Sequence, residues 1–364
     1  MSAKKVTMTD VAEKAGVSQA TVSQILSNKE TSSFTSETIA RVLDTAKSLG
    51  YRSKENFRPA AGSPYIMVFS VNISNPYYGS MLQSIEAEAL AHKYRIMNCN
   101  TYRNASLETD YLSLALKMNV AGIIFLSSPH AAERVSEVAQ RIPVVCICDK
   151  EAGLPTDIIE MNHAASAKLL VDHLVSLGHR KIALITSPLG DNKGRLARMD
   201  GLRIQMEKLG LSDNFVVRMV EESKDEEIGD YYRDYHRGYN LLQEEALYHS
   251  GITAFVCTND LMALGVMDAI LERGYKIPED FSVCGFDNIL VSQLHNISLT
   301  TVDHRMSVKG KSAMELLMRK IDLIKHQDTH QETLSDQFKI EYQPRLVVRN
   351  STGPAPTVRQ KSKK

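Results

Sequence analysis

The sequence predicts an α/β protein, a small all-helical head followed by two parallel α/β units, and three observations carry that prediction. Residues 1–51 read as helix throughout, with caps and an apolar stripe but no alternating run. From Tyr65 onward, apolar strands alternate with amphipathic helices, the pattern of parallel sheets covered by helices on both faces. About ten strands over ~280 residues make two such units more naturally than one, on a chain too long for a single ordinary core.

Taken in order, Thr7-x-x-Asp10 predicts a capping box at the start of the first helix. Ala15-Gly16-Val17 is a tight turn, Ser18 an N-cap for the second helix and Thr35 one for the third. The third places Ile39, Val42, Leu43, Ala46 and Leu49 on one stripe and is expected to end at Gly50. Polar "RSKENFRPAAGSP" follows as a hinge, assigned to residues 52–63. The predicted strands are "YIMVFSV", "YRIMNCN", "GIIFLSS", "VVCICD", "KIALITS", "TAFVCTND" and "FSVCGFD". Helices such as "YGSMLQSIEAEALAHK", "HAASAKLLVDHLVSLG" and "DLMALGVMDAILERG" separate them. The sensor is expected over 64–349, and the basic, Pro-containing end, 350–364, is expected to be disordered.

Composition narrows the function. The chain carries 43 basic and 43 acidic residues, so any nucleic-acid contact must come from a local cluster. No run approaches the ~18 apolar residues of a membrane span, and Met1 to Lys5 lead into helix with no apolar leader, so a soluble, cytoplasmic protein without membrane contact is expected. The five cysteines form no C-x-x-C and no disulfide framework, so buried thiols are expected. "VKGKS" at 308–312 imitates the end of a phosphate loop, yet the earlier Gly would fall on Arg305 and the segment reads as helix. Neither G-x-G-x-x-G, H-E-x-x-H nor G-x-S-x-G occurs, so no catalytic residue, metal or cofactor is assigned. His163, His173 and His179 are spaced irregularly and are expected to serve as caps and surface contacts.

Two short helices crossing at a Gly turn match a helix-turn-helix, with Val11, Ala12, Ala15, Val17, Val22 and Ile25 as its core. Gln19, Ala20, Thr21, Ser23 and Gln24 then fall on the free face, where hydroxyls and amides meet base edges and phosphates and a methyl meets thymine. Thr7, Ser18 and Asn28 complete the candidate DNA-contact set on this head. Residues 1–58 carry nine basic against six acidic residues, a modest excess of the sign DNA requires.

At these residues the chain resembles a known family. "TMTDVAEKAGVSQATVSQIL" followed by "TSETIARVLDTAKSLGY" resembles the head of lac repressor/galactose repressor regulators, matching every fixed position of D-V-A-x-x-A-G-V-S-x-x-T-V-S. Two departures stand out. Gln24 occupies the place of the Arg that reads guanine, and Gln suits adenine. In the hinge, where the family continues Y-x-P-N-x-x-A-x-x-L and wedges Leu into the minor groove, this chain has Lys54, Phe57 and Ala60 for Asn, Ala and Leu. Either Phe57 replaces the wedge, or the hinge stays extended with Pro59 breaking the helix.

In open parallel α/β sheets, ligands sit beyond the carboxyl ends of the strands. The residues there are Tyr77 and Tyr78 after "NISNP", Asp149, Arg198, Asn259 with Asp260, and Asp287 with Asn288. Carboxylates, Arg and Asn chelate hydroxyls while a Tyr ring packs on sugar C–H groups, which suits a polyhydroxylated ligand. Asp260, directly before a helix, is expected to be its N-cap. Lys193 and Arg195 are suited to a phosphate or carboxylate, but Asp149 and Asp287 would repel an anion, so a neutral sugar or glycoside is expected.

The resemblance extends over this part through "ISNPYYGSMLQSIE", "DHLVSLGHRKIALI", "RMDGL", "TNDLMALGVMDAI", "PEDFSVCGFDN" and "LTTV". It implies a periplasmic-binding-protein-like sensor of two Rossmann-like subdomains joined by three crossovers, with the effector between them. By that resemblance 64–162 and 298–326 form one subdomain, and 163–297 and 327–349 the other. Arg198, Asn259 and Asp287 match its effector positions, and Asp149 a less constant one. The implied function is a homodimeric repressor of a carbohydrate uptake or catabolism operon, bound to a pseudo-palindromic double-stranded operator and controlled by a sugar-like effector that induces or corepresses. "SMLQSIEAEALAHK" is a candidate dimer surface, or packs on its own sheet. Control by a protein partner, or by a nucleoside or sugar-phosphate corepressor, is the alternative.

Overall fold

The computed structural model describes residues 7–26, 34–49, 63–148, 154–190, 192–221, 232–325 and 336–356. In the head, α1 (Met8–Ala15) opens with the expected capping box: Asp10 Oδ2 accepts the Thr7 N–H at 2.6 Å, and Thr7 Oγ1 accepts the Asp10 N–H at 3.3 Å. Gly16, at φ 66°, terminates it in the left-handed conformation that suits glycine. Ser18 then caps α2 (Gln19–Leu26), its Oγ accepting the Thr21 N–H at 3.0 Å. Thr35 does the same for α3 (Ser36–Leu49) through Thr38. Val11, Ala12, Ala15, Val22 and Ile25 close on Val42 and Ala46, with Val17, Ile39 and Leu49 at the margin. Leu43 departs from the expected stripe and is 47% exposed. It lies at the edge of that stripe, and so small a bundle has no second layer to cover it. Gly50 and residues 52–62 of the hinge lie outside the described residues.

The first sensor half runs β1 (Tyr65–Ser70), α4 (Pro76–Ala91), β2 (Arg95–Asn100), α5 (Ala105–Met118), β3 (Gly122–Phe125), α6 (Ala132–Val138), β4 (Val144–Ile147) and β5 (Asp157–Met161). The second runs α7 (His163–Ser176), β6 (Ile182–Thr186), α8 (Lys193–Lys208), β7 (Phe215–Met219), α9 (Arg233–Leu241), α10 (Glu245–Tyr248), β8 (Ala254–Cys257), α11 (Asp260–Glu272), β9 (Ser282–Asp287) and β10 (Thr300–Asp303). The chain finishes with α12 (Met306–Lys325), β11 (Lys339–Tyr342) and β12 (Arg345–Val347). The two sheets have the same order, β2-β1-β3-β4-β5-β11 and β7-β6-β8-β9-β10-β12. Only the last strand differs: β11 runs parallel to β5, while β12 runs antiparallel to β10. Inner strands such as β3, β4 and β8 are buried along their whole length, as strands covered on both faces must be.

All seven expected strands form, and residues 308–312 lie within a helix, α12, as read. The subdomain boundaries require correction. Residues 300–303 pair with β9 and so belong to the second half, not the first. Residues 339–342 pair with β5 and belong to the first half, not the second. The chain therefore crosses between halves near Asn162, His304 and Gln343. The start of the expected disordered tail is also ordered. Ser351 is buried, donating to Val283 O and accepting the Thr300 N–H, and the Ala355 N–H reaches Leu177 O. The Ser351 hydroxyl satisfies the backbone of β10 and the Thr352 hydroxyl meets Thr300 Oγ1 at 2.8 Å, roles that composition does not reveal. Residues 357–364 lie outside the described residues. The helix α4 buries Met81, Ile85 and Ala89 against α12 and its own sheet.

Candidate functional site

A cleft of about 1110 Å³ opens between the carboxyl ends of the two sheets. Asn75 starts its first wall: its side chain accepts the Tyr77 N–H at 2.9 Å, and Pro76 occupies the first turn of α4. The turn delivers Tyr77 and Tyr78 to the cleft with their rings edge-on at 5.1 Å. Burial pushes the Tyr78 hydroxyl up to about 12, so it stays protonated and can donate. Tyr77 accepts a hydrogen bond from Lys309 Nζ of α12 at 3.2 Å.

On the opposite wall Asn192 caps α8 through the Arg195 N–H, placing Arg195 and Arg198 one turn apart along the cleft. Arg198 Nη1 donates to Thr258 O at 2.5 Å, its Nε to His163 Nδ1 at 3.4 Å, and its guanidinium lies 5.0 Å from the centre of the Phe286 ring. A carbonyl, an imidazole and an aromatic face thus fix the one side chain. Arg195 donates to Pro188 O at 3.0 Å.

Asn259, not Asp260, caps α11, its Oδ1 accepting the Met262 N–H at 2.8 Å. This corrects the expectation for Asp260, which is fully buried and instead ties the sheet together, accepting from Thr301 Oγ1 at 2.6 Å and from the Ile289 N–H at 3.0 Å. Burial pushes its carboxyl up to about 7. Asp287 ends β9 at φ 120°, a strained conformation for a residue with a side chain. Its Oδ1 lies 3.2 Å from His304 Nδ1, with both side chains buried. Burial holds the Asp287 carboxyl well above its usual range and the His304 imidazole well below its own.

The cleft thus brings together Tyr77, Tyr78, Arg198, Asn259 and Asp287. Asp149 lies outside the described residues. Other lining residues were not anticipated: Arg103, Asp234, Arg237 and Lys309. Arg103 follows β2, so the strand-end rule would have found it, whereas Asp234 and Arg237 sit on α9 with no local signal. The histidines also depart from expectation. His163 is buried beneath Arg198, and His179 is fully buried, bonded to Thr253, Ser282 and Gly353. Cys99, Cys146, Cys148, Cys257 and Cys284 are free and buried.

On the head, Gln19, Ala20 and Gln24 are exposed on α2, and Thr21 and Ser23 are half-buried. The hydroxyl of Ser18 serves as a cap and meets Thr21 Oγ1 at 2.9 Å, and Thr7 is engaged in its capping box. Asn28 and Phe57 lie outside the described residues. Among the described residues no three His, Cys, Asp or Glu side chains converge to hold a metal, and no helix is long and apolar enough to cross a membrane.

Comparison with known proteins agrees with both parts. Residues 7–54 match the bacterial regulatory proteins of the lacI family, and residues 171–352 match the periplasmic binding protein-like domain. The chain is 30% identical to the HTH-type transcriptional regulator DegA of Bacillus subtilis, over 97% of this chain and 100% of that protein. It is 28% identical to the HTH-type transcriptional repressor PurR of Haemophilus influenzae, over 95% and 98% respectively. Its fold is similar to that of a LacI family transcriptional regulator from Enterococcus faecium with bound ribose, at a TM-score of 0.66 and 24% identity over 80% of this chain and 99% of that one.

Proposed function

Since the chain belongs to the lacI family of bacterial regulatory proteins and is a DNA-binding transcriptional regulator rather than an enzyme, we propose that it represses a carbohydrate uptake or catabolism operon under control of a sugar-like effector in the cleft. The observation that supports this reading is the pairing of Tyr77 and Tyr78 on one wall with Arg198 and Asn259 on the other. Aromatic faces opposite fixed hydrogen-bonding groups are what a polyhydroxylated molecule requires. Two heads reading adjacent major grooves of a pseudo-palindromic site require a two-fold homodimer. Effector that closes the cleft rotates one half against the other and changes the spacing of the hinges. A coupling of ~3 kcal/mol changes operator affinity over a hundredfold.

The test is a thermal-shift titration of the purified protein with sugars, repeated on Arg198→Ala, followed by operator binding with and without the stabilising compound. A sugar that raises the Tm of the wild type but not of the variant, and alters operator affinity, supports the reading and gives the sign of control. Operator binding that responds to a phosphorylated carrier protein and to no sugar overturns it.

A further inference from the structure

We propose that the effector is an anion, a polyhydroxylated molecule whose carboxylate or phosphate is held by Arg195 together with Arg103 and Arg198. The proposal rests on the sugar reading above and adds the charge of the ligand.

Among the described residues lining the cleft, arginine and lysine supply seven and aspartate and glutamate three. Each of the three acids is already engaged by the protein. Glu160 is 2.7 Å from Lys339 Nζ. Asp234 accepts from Asn259 at 2.6 Å and from Ser187 at 3.1 Å, with Arg237 at 3.8 Å. Asp287 faces His304. The repulsion that argued for a neutral ligand therefore loses its Asp287 half, and Asp149 lies outside the described residues.

The arginines show the opposite arrangement. Among the described residues, Arg103, Arg195 and Arg198 form no ion pair with a carboxylate. The partners of Arg195 and Arg198 are two carbonyls and an imidazole nitrogen, which leave most of the five N–H donors of each guanidinium available. Burial pushes Arg195 down, and although Asp234 opposes that, the like charges of Arg103 and Arg198 add to it. An anion between them would relieve this crowding. The N-terminal end of α8, Asn192 to Arg195, forms the same wall and adds its positive dipole end. Planar two-point recognition of carboxylate or phosphate is what arginine provides and a neutral hydroxyl does not exploit.

Isothermal titration calorimetry on the full-length chain distinguishes the outcomes, with glucose, galactose and ribose as uncharged probes, gluconate and galacturonate as carboxylates, and glucose 6-phosphate and ribose 5-phosphate as phosphates. The expected result is that one charged series binds tighter than its uncharged parents by on the order of tenfold or more, a preference lost in Arg195→Gln. Which series binds identifies the anionic group. Arg103→Gln, on an exposed loop side chain, repeats the test should Arg195→Gln fold poorly by circular dichroism. Uncharged parents that bind as tightly as the charged probes, with both variants unaffected, overturn the anion and leave the sugar reading standing. Binding by no member of any series overturns both.

Discussion

Asn259 holds Asp234 at the cleft wall: its Nδ2 donates to Asp234 Oδ2 at 2.6 Å while its Oδ1 caps α11 through the Met262 N–H. One amide uses both ends, so its two roles separate in Asn259→Asp. Aspartate keeps the capping oxygen but sets a second carboxylate against Asp234. The variant is expected to lose about 1–3 kcal/mol at neutral pH, the cost of spoiling a partly buried polar contact, and to regain part of it in mild acid. Thermal denaturation at pH 5 and pH 8 checks this, and an unchanged Tm at pH 8 would contradict the contact.

The position of Asp234 depends in turn on how closely α9 approaches α11. A Cβ on Gly265 would strike the backbone of Tyr235 and Tyr239, and one on Gly238 would strike that of Met262. Gly265→Ala is therefore expected to push α9 outward, at about 1–3 kcal/mol for overpacking, and to carry Asp234 and Arg237 off the wall. Urea denaturation reads the first effect and ligand titration the second. Wild-type values in both would show that the helices have room to spare.

Asp260 predicts a pH dependence with a definite sign. Its carboxyl is pushed from 3.8 to about 7, by burial first, with the hydrogen bonds from Thr301 and Ile289 opposing. A folded-state value above the unfolded one means the folded protein holds that proton more tightly. Asp260 thus adds stability in acid and loses that contribution as pH rises from about 4 to about 7. Buried His179 and His304, pushed below 6.5, act in the opposite direction and weaken the fold as acid protonates them. The difference between wild type and Asp260→Asn isolates the carboxyl: relative to the variant, the wild-type urea midpoint is expected to fall across pH 4–7. Parallel curves for the two proteins would remove the assignment.

Gln24, exposed on α2, stands where the resembling family places a guanine-reading Arg. Site selection with the wild type is expected to enrich adenine at one position of each half-site. Gln24→Arg is expected to switch it to guanine, a discrimination of about 1–3 kcal/mol per base pair. Guanine enrichment by the wild type would show that Gln24 does not read that base.

The sequence is legible where a segment's own pattern decides its structure. Thr7, Ser18 and Thr35 act as caps because each precedes its helix with a free hydroxyl, and β1, β3 and β8 are apolar runs that only a doubly covered sheet can hide. Legibility fails where the answer depends on a distant partner. Nothing in "TTVD" or "KIEY" says which sheet each joins; pairing with β9 and β5 decides it. Asn259 and Asp260 are adjacent and both suited to capping, and what separates them is Thr301, 41 residues away, which draws Asp260 into the sheet. Four of the six proposed ligand residues were read from strand ends or helix starts and line the cleft beside Arg198, whereas Asp234 and Arg237 arrive from a helix whose position only tertiary packing fixes.

The last two strands also bear on how the gene tolerates truncation. After α12 ends at Lys325, β11 completes one sheet and β12 the other, so a premature stop there removes an edge from both halves at once. Neither half is a continuous stretch that could be expressed, exchanged or inherited by itself. A grafted sensor must therefore carry the chain from β1 through β12 and on to Ala355 as one piece, since Ser351 and Ala355 also bond to the second half.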